Sequence, residues 1–220
     1  MDSGADAGSG SISVKDVNRA LRRVLWPALK AVGFTSRTDR VAWRYVPGGT
    51  ELIETRSIGP GADAVGCPSF SFSVTVATMP TYLENSRVAV KDGRPRPHYW
   101  QCALSRRLCK TLAQPWFAPF STPPTNLLPS FALHREGLMR VGRTDVHDRD
   151  DIWFVRSDGS NLDECVRDAT TVVVEGALPW LEGLRDPESV IEDMEAGHFD
   201  ARPGSPRALE VIEAARASKR

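Results

Sequence analysis

The sequence predicts an α+β fold: an N-terminal helix packed on an antiparallel sheet, followed by several C-terminal helices. Three observations predict it. Residues 13–32 place apolar side chains at steps of three and four, the period of a helix with one buried face. Residues 41–76 change to a step of two, the period of strands. From residue 160 onward helical spacing returns, punctuated by starts at Asp186-Pro187 and at Pro206.

In the first helix Val14, Val17, Leu21, Val24, Leu25, Ala28, Leu29 and Val32 share a face. Ser13 with Asp16 three residues on forms a capping-box start. Pro27 removes one internal hydrogen bond and is expected to kink the helix, and Gly33 suits the left-handed residue that ends it. In VAWRYV, Val41, Trp43 and Tyr45 alternate with Ala42, Arg44 and Val46; Pro47, Gly48 and Gly49 then turn the chain into ELIETRSI, a hairpin. SFSFSVTVAT puts Phe70, Phe72, Val74 and Val76 on one side and Ser71, Ser73 and Thr75 on the other, which predicts a sheet covered on one face only, by the first helix.

Residues 80–97 are polar and irregular, and residues 98–113 predict a helix with Trp100, Leu104, Leu108 and Leu112 along one side, Cys102 and Cys109 beside them, and Arg106, Arg107 and Lys110 opposite. Five prolines in PWFAPFSTPPTNLLPSF argue against regular structure, yet the aromatics and leucines suit a loop that wraps the core. FALHREGLMRVG and DIWFVRS read as strands around the charged loop TDVHDRDD. A helix from Ser160 carries Leu162, Cys165, Val166, Ala169, Val173 and Ala177; short helices start at Asp186-Pro187 and at Pro206. The expected organisation is a disordered leader over 1–12, one α+β domain over 13–196, and a C-terminal linker and helix over 197–220.

The 220 residues are 41% hydrophobic, enough for a substantial core, and Lys+Arg and Asp+Glu balance at 28 each, so no overall field draws the chain to nucleic acid or an anionic membrane. The start MDSGADAGSGS lacks the basic and apolar regions of a secretory signal, which gives the expectation of a cytoplasmic protein with reduced thiols at Cys67, Cys102, Cys109 and Cys165. No apolar run approaches the roughly 20 residues of a membrane helix.

Each candidate for chemistry has a plainer reading beside it. GPGADAVG is followed by Pro68 and a strand, so it connects strands and does not open a helix over a phosphate. Asp145, His147, Asp148, Asp150 and Asp151 could meet a basic partner, but their spacing fits neither a calcium loop nor a zinc helix, and no metal or cofactor is expected. His98 and Cys102 are the only sequence-local nucleophile–base pair, and a buried cysteine is the preferred reading. Arg94, Arg96, Arg106, Arg107 and Lys110, with His98 and Tyr99 interleaved, are the one basic cluster; a solvated helix face is preferred over phosphate tracking. Trp116, Phe117 and Phe120 in the proline-rich loop are the third candidate surface.

PALKAVGF at the close of the first helix, the hairpin, SFSFSVTV, SRRL followed by PWF, DIWFV, and LPWLEGL before a short acidic helix occur in an order that resembles the bacterial domain-of-unknown-function family 4304, over about residues 13–195. The resemblance implies an α+β fold and brings no established activity, cofactor or catalytic set. The functional expectation is a non-catalytic cytoplasmic protein-binding module of an antitoxin, immunity or defence kind. The alternatives are an enzyme or small-ligand binder with a pocket between the sheet and the proline-aromatic loop, and nucleic-acid binding through the 94–110 basic face.

Overall fold

The N-terminal amphipathic segment forms two helices, α1 (Val14–Arg23) and α2 (Leu25–Ala31). The Asp16 carboxylate accepts the Ser13 backbone N–H at 2.9 Å and its hydroxyl at 2.7 Å, as the capping box predicts. Pro27 breaks the helix instead of bending it. Its ring crowds the carbonyl four residues back, at Arg23, and Val24 beside that carbonyl leaves helical geometry at φ −114°. Gly33, at φ +96°, ends α2 where a side chain would be strained.

The structure is a computed structural model that describes residues 12–59, 68–83, 87–110, 117–118, 151–196 and 204–219. The chain is α+β. Its main sheet has the order β1-β2-β3-β4-β7-β8, every neighbouring pair antiparallel: β1 (Ser36–Arg37), β2 (Val41–Val46), β3 (Gly49–Ser57), β4 (Phe72–Pro80), β7 (Leu104–Leu108) and β8 (Phe117–Ala118). A separate hairpin pairs β5 (Val90–Lys91) with β6 (Arg94–Pro95). The β2–β3 loop is the two residues Pro47 and Gly48, the latter at φ +87°. Gly49 already belongs to β3, and a Cβ there would meet the Met79 carbonyl oxygen at 2.8 Å, so the strand approaches β4 too closely for any side chain.

The pairing Val41↔Glu54, Trp43↔Leu52, Leu52↔Ala77, Thr75↔Arg107 fixes the two faces of the sheet. Ala42, Ile53, Phe72, Val74, Val76 and Leu108 face the helices and pack against Val17, Leu21, Leu25 and Leu29 of α1 and α2. The same core takes in α3 (Leu162–Val172), a π-helical turn (Val173–Ala177) and α4 (Leu178–Gly183). The expected single helix from residue 160 is therefore interrupted. Pro179 cannot donate to a carbonyl four residues back, and the wider turn before it absorbs the missing bond.

The other face is covered too, contrary to the one-sided expectation. Ser71, Ser73 and Thr75 are buried, and Val41, Trp43, Leu52, Ala77 and Met79 form a second core with Cys102, Tyr45, Val88 and Tyr99. Residues 87–102 lie across this face as a strap.

The helix expected over residues 98–113 does not form in its described part, 98–110. A single 3-10 turn (Tyr99–Gln101) leads into β7, where Leu104 and Leu108 point to the helices with Arg106 between them. A four-residue leucine spacing suits both periods, and a buried arginine at the intervening position hid the two-residue one. Trp100, expected on the buried side, is 59% exposed. Within the proline-rich segment Phe117 and Ala118 pair with Leu108 and Arg107, so part of it is regular after all. DIWFVRS contributes one bridge, Trp153 with Phe72, and no longer strand. The strand expected at 131–142 lies outside the described residues.

The C-terminal helices start at Pro187 and Pro206, as expected. Asp186 accepts the Glu188 N–H before α5 (Pro187–Glu195), and Ser205 Oγ accepts the Ala208 N–H before α6 (Pro206–Ser218). The last helix is docked: Ala208, Val211, Ile212 and Ala215 pack on Val190, Ile191 and Met194, and Arg216–Glu195 and Lys219–Glu188 pairs flank them. Among the described residues no helix is long and apolar enough to cross a membrane.

Candidate functional site

The strap turns a row of cations and aromatic rings onto the far face of the sheet. The hairpin β5–β6 leads into RPRPHYW, whose Arg94, Arg96 and His98 alternate with Pro95, Pro97 and Tyr99 in a two-residue step. Each level of the strap meets one level of β2 and β3. Arg94 stacks over the Tyr45 ring at 4.9 Å and Arg96 over the Trp43 ring at 5.5 Å, while the Trp43 indole N–H donates to the Pro97 carbonyl at 2.8 Å. At the next level His98 Nδ1 lies 3.3 Å from Glu54 Oε2, and the Tyr99 N–H donates to the same oxygen at 3.3 Å. At the far end Arg56 stacks over the Tyr99 ring at 5.1 Å and donates to its hydroxyl.

Trp100 stands outermost. Its ring stacks on His98 at 4.3 Å and meets Tyr99 edge-on at 5.3 Å, yet it remains 59% exposed. An indole held on two sides but open on the third is rigid and apolar, at little entropic cost for a contact. Arg56 and Arg94 are exposed and have no carboxylate partner among the described residues. Arg96 is paired with Asp92 at 3.5 Å. Glu54, a buried carboxylate of β3, is held by His98 and by the strap backbone.

The basic cluster expected over 94–110 is divided by the fold. Arg94 and Arg96 belong to the strap. Arg106 points to the helix side and is buried, and Lys110 lies on that side near Cys165. Arg107 shares the strap's face but is bonded to Asp151 at 2.7 Å. Asp151, expected in a solvated acidic loop, is buried as that partner, two residues before the Trp153 bridge that ties this segment to β4. Asp145, His147, Asp148, Asp150, Trp116 and Phe120 lie outside the described residues, as does the Phe117 side chain. Trp43, Tyr45, Glu54, Arg56 and Trp100 were not singled out in the sequence as site residues. The alternation of RPRPHYW with the inward positions of the hairpin is the signal that could have found them.

The structure supports the inert reading for the three described thiols; Cys67 lies outside the described residues. Cys102, Cys109 and Cys165 are buried and unbridged. The Cys102 thiol bonds to the His98 carbonyl, not its ring, and burial pushes its pKa far up, with Glu54 adding to the effect. Burial, helped by Glu164 and Asp168, pushes Cys165 up to about 11. Native protein at pH 8 should therefore resist iodoacetamide at Cys102 and Cys165 and react once unfolded, as peptide mass spectrometry would show. Both thiols hold their protons more tightly folded than unfolded. Stability should thus begin to fall as pH passes about 9, the Cys165 share being complete by about 11. Fast native labelling of Cys102 would contradict this geometry.

Among the described residues no three His, Cys, Asp or Glu side chains come together as a metal site. No protein-family model, curated protein or solved structure matches the chain.

Proposed function

We propose that this chain is a non-catalytic cytoplasmic protein-binding module, of the antitoxin or immunity kind, whose strap face docks an acidic partner. The observation that carries the reading is the exposed Trp100 on the strap that carries Arg94 at one end and meets Arg56 at the other, each cation stacked on a tyrosine and without a carboxylate partner among the described residues. Tryptophan and arginine are the side chains that most often dominate binding energy when a partner dehydrates them. Stacking on a ring holds the guanidinium plane and leaves its N–H edge for a carboxylate.

The same stacks weigh against nucleic acid. Tracking a single strand needs successive open ring faces, whereas Tyr45, Trp43 and Tyr99 each have an arginine over the ring, Arg106 and Lys110 lie on the helix side, and Arg107 is paired with Asp151. The likeness to family 4304 is part of this proposal and brings no activity to set against it.

Trp100→Ala tests the reading. An exposed side chain removed from the surface should change stability by no more than about 0.5 kcal/mol. If Trp100 is a hot spot, the loss of binding should reach about 2 kcal/mol. Tagged protein and its Trp100→Ala variant would be recovered in parallel from native cytoplasm and their associated proteins quantified. Acidic proteins retained by the parent and lost from the variant are the expected result; identical sets would overturn the assignment.

A further inference from the structure

We infer that the partner presents an extended acidic segment, with its carboxylates about six residues apart, laid along the strap. The inference rests on the protein-binding reading of the same face and adds the shape and spacing of what it binds.

The sheet register supplies the ruler. Tyr45, under Arg94, stands opposite Thr50, and Arg56 lies six positions further along β3, about 20 Å at about 3.3 Å per residue. Between these ends the strap climbs one level of the sheet for every two of its own residues: Arg94 at Tyr45, Arg96 at Trp43, His98 at Glu54. That is the period of an extended chain. A partner strand of the same pitch brings every second side chain down on this face, so residues six apart point the same way and reach Arg94 and Arg56 together.

The charges favour two separated acidic contacts over one acidic block. The cations without a carboxylate among the described residues are at the ends. In the middle Arg96 is mostly buried and paired with Asp92, and His98 is drawn toward Glu54. A contiguous acidic run would set most of its charge over groups already neutralised. Split acidic ends would meet both exposed guanidinium groups while the intervening residues cross His98 and Trp100.

Two synthetic peptides of equal length and charge test this at low salt by fluorescence anisotropy. One carries two glutamates at each end of a serine–glycine spacer five residues long; the other carries its four glutamates together. The split peptide should bind about fivefold more tightly, the effect of one further ion pair at a partly dehydrated surface. That advantage should vanish in Arg56→Gln and in Arg94→Gln, both exposed positions whose replacement leaves the fold intact. Equal affinity of the two peptides would overturn the extended spacing while leaving an acidic partner in place. If neither peptide nor polyglutamate binds, the acidic-partner reading falls as well. Tighter binding of an oligothymidylate at the same salt would replace both with a nucleic-acid ligand.

Discussion

Replacing Glu51 by glutamine should lower the folding free energy by about 3–5 kcal/mol, read as a lower urea midpoint with an unchanged slope. Glu51 is fully buried on the helix-facing side of β3. Its carboxylate accepts the Arg44 Nε–H at 2.5 Å from the opposite position on β2, and the Arg185 Nε–H at 2.9 Å from the junction of α4 and α5. Arg44 is itself buried, bonds the Val32 carbonyl at 3.0 Å and lies 4.9 Å over the Phe34 ring. One carboxylate thus joins the end of α2, the first hairpin and the C-terminal helices.

Glutamine keeps the volume and removes the charge, which leaves the buried Arg44 with only the exposed Glu182, 3.9 Å away, as a counter-ion among the described residues. Arg185, 39% exposed, can turn to water, so Arg185→Ala should cost only about 1 kcal/mol. The double variant Arg44→Met/Glu51→Leu discriminates between causes. If the cost of Glu51→Gln is a buried cation left with only a distant, exposed counter-ion, removing both charges should recover most of it. A double variant as unstable as the single would show that packing around Glu51, and not its charge, holds these elements together.

The Arg44–Glu51 pair shows how far the sequence could be read. A two-residue loop at Pro47 and Gly48 forces Arg44 opposite Glu51, so their contact was implicit once the hairpin was recognised. Their burial was not, because alternation alone assigns a charged residue to the solvent side, and only the arrival of Arg185 from a distant element in the chain supplies the second counter-ion. Helix starts with local causes were legible: Ser13 with Asp16, Asp186 with Pro187, and Pro206.

The strap was not legible, for a related reason. Leu104 and Leu108 fit a helix as well as a strand, and β4 decides the matter by offering unpaired backbone groups to residues 104–107. Arg94 and Arg96 look like a solvated charge run until Tyr45 and Trp43 are seen beneath them. Those partners lie about 50 residues away and are reached only through the sheet register.

Trp153→Ala should cost about 3–5 kcal/mol, the range for a large aromatic side chain removed from a core, and lower the Tm by roughly 10 °C in a chain of this length. Trp153 is 1% exposed and stacks on Phe72 with ring centroids 5.9 Å apart and planes 11° from parallel. Its backbone exchanges both hydrogen bonds with Phe72, at 2.7 and 3.1 Å, so the residue fastens its segment to β4 through main chain and side chain together. The indole N–H donates to Asp168 Oδ2 of α3 at 2.8 Å, which orients that helix over the sheet. Trp153→Phe keeps most of the apolar volume and loses this bond, and Asp168 is exposed enough to recover water, so its cost should be about 1–2 kcal/mol. Calorimetry of the two variants separates the contributions: alanine far below phenylalanine places the energy in the buried ring. Equal losses would place it in the bond to Asp168, and Asp168→Asn should then reproduce them.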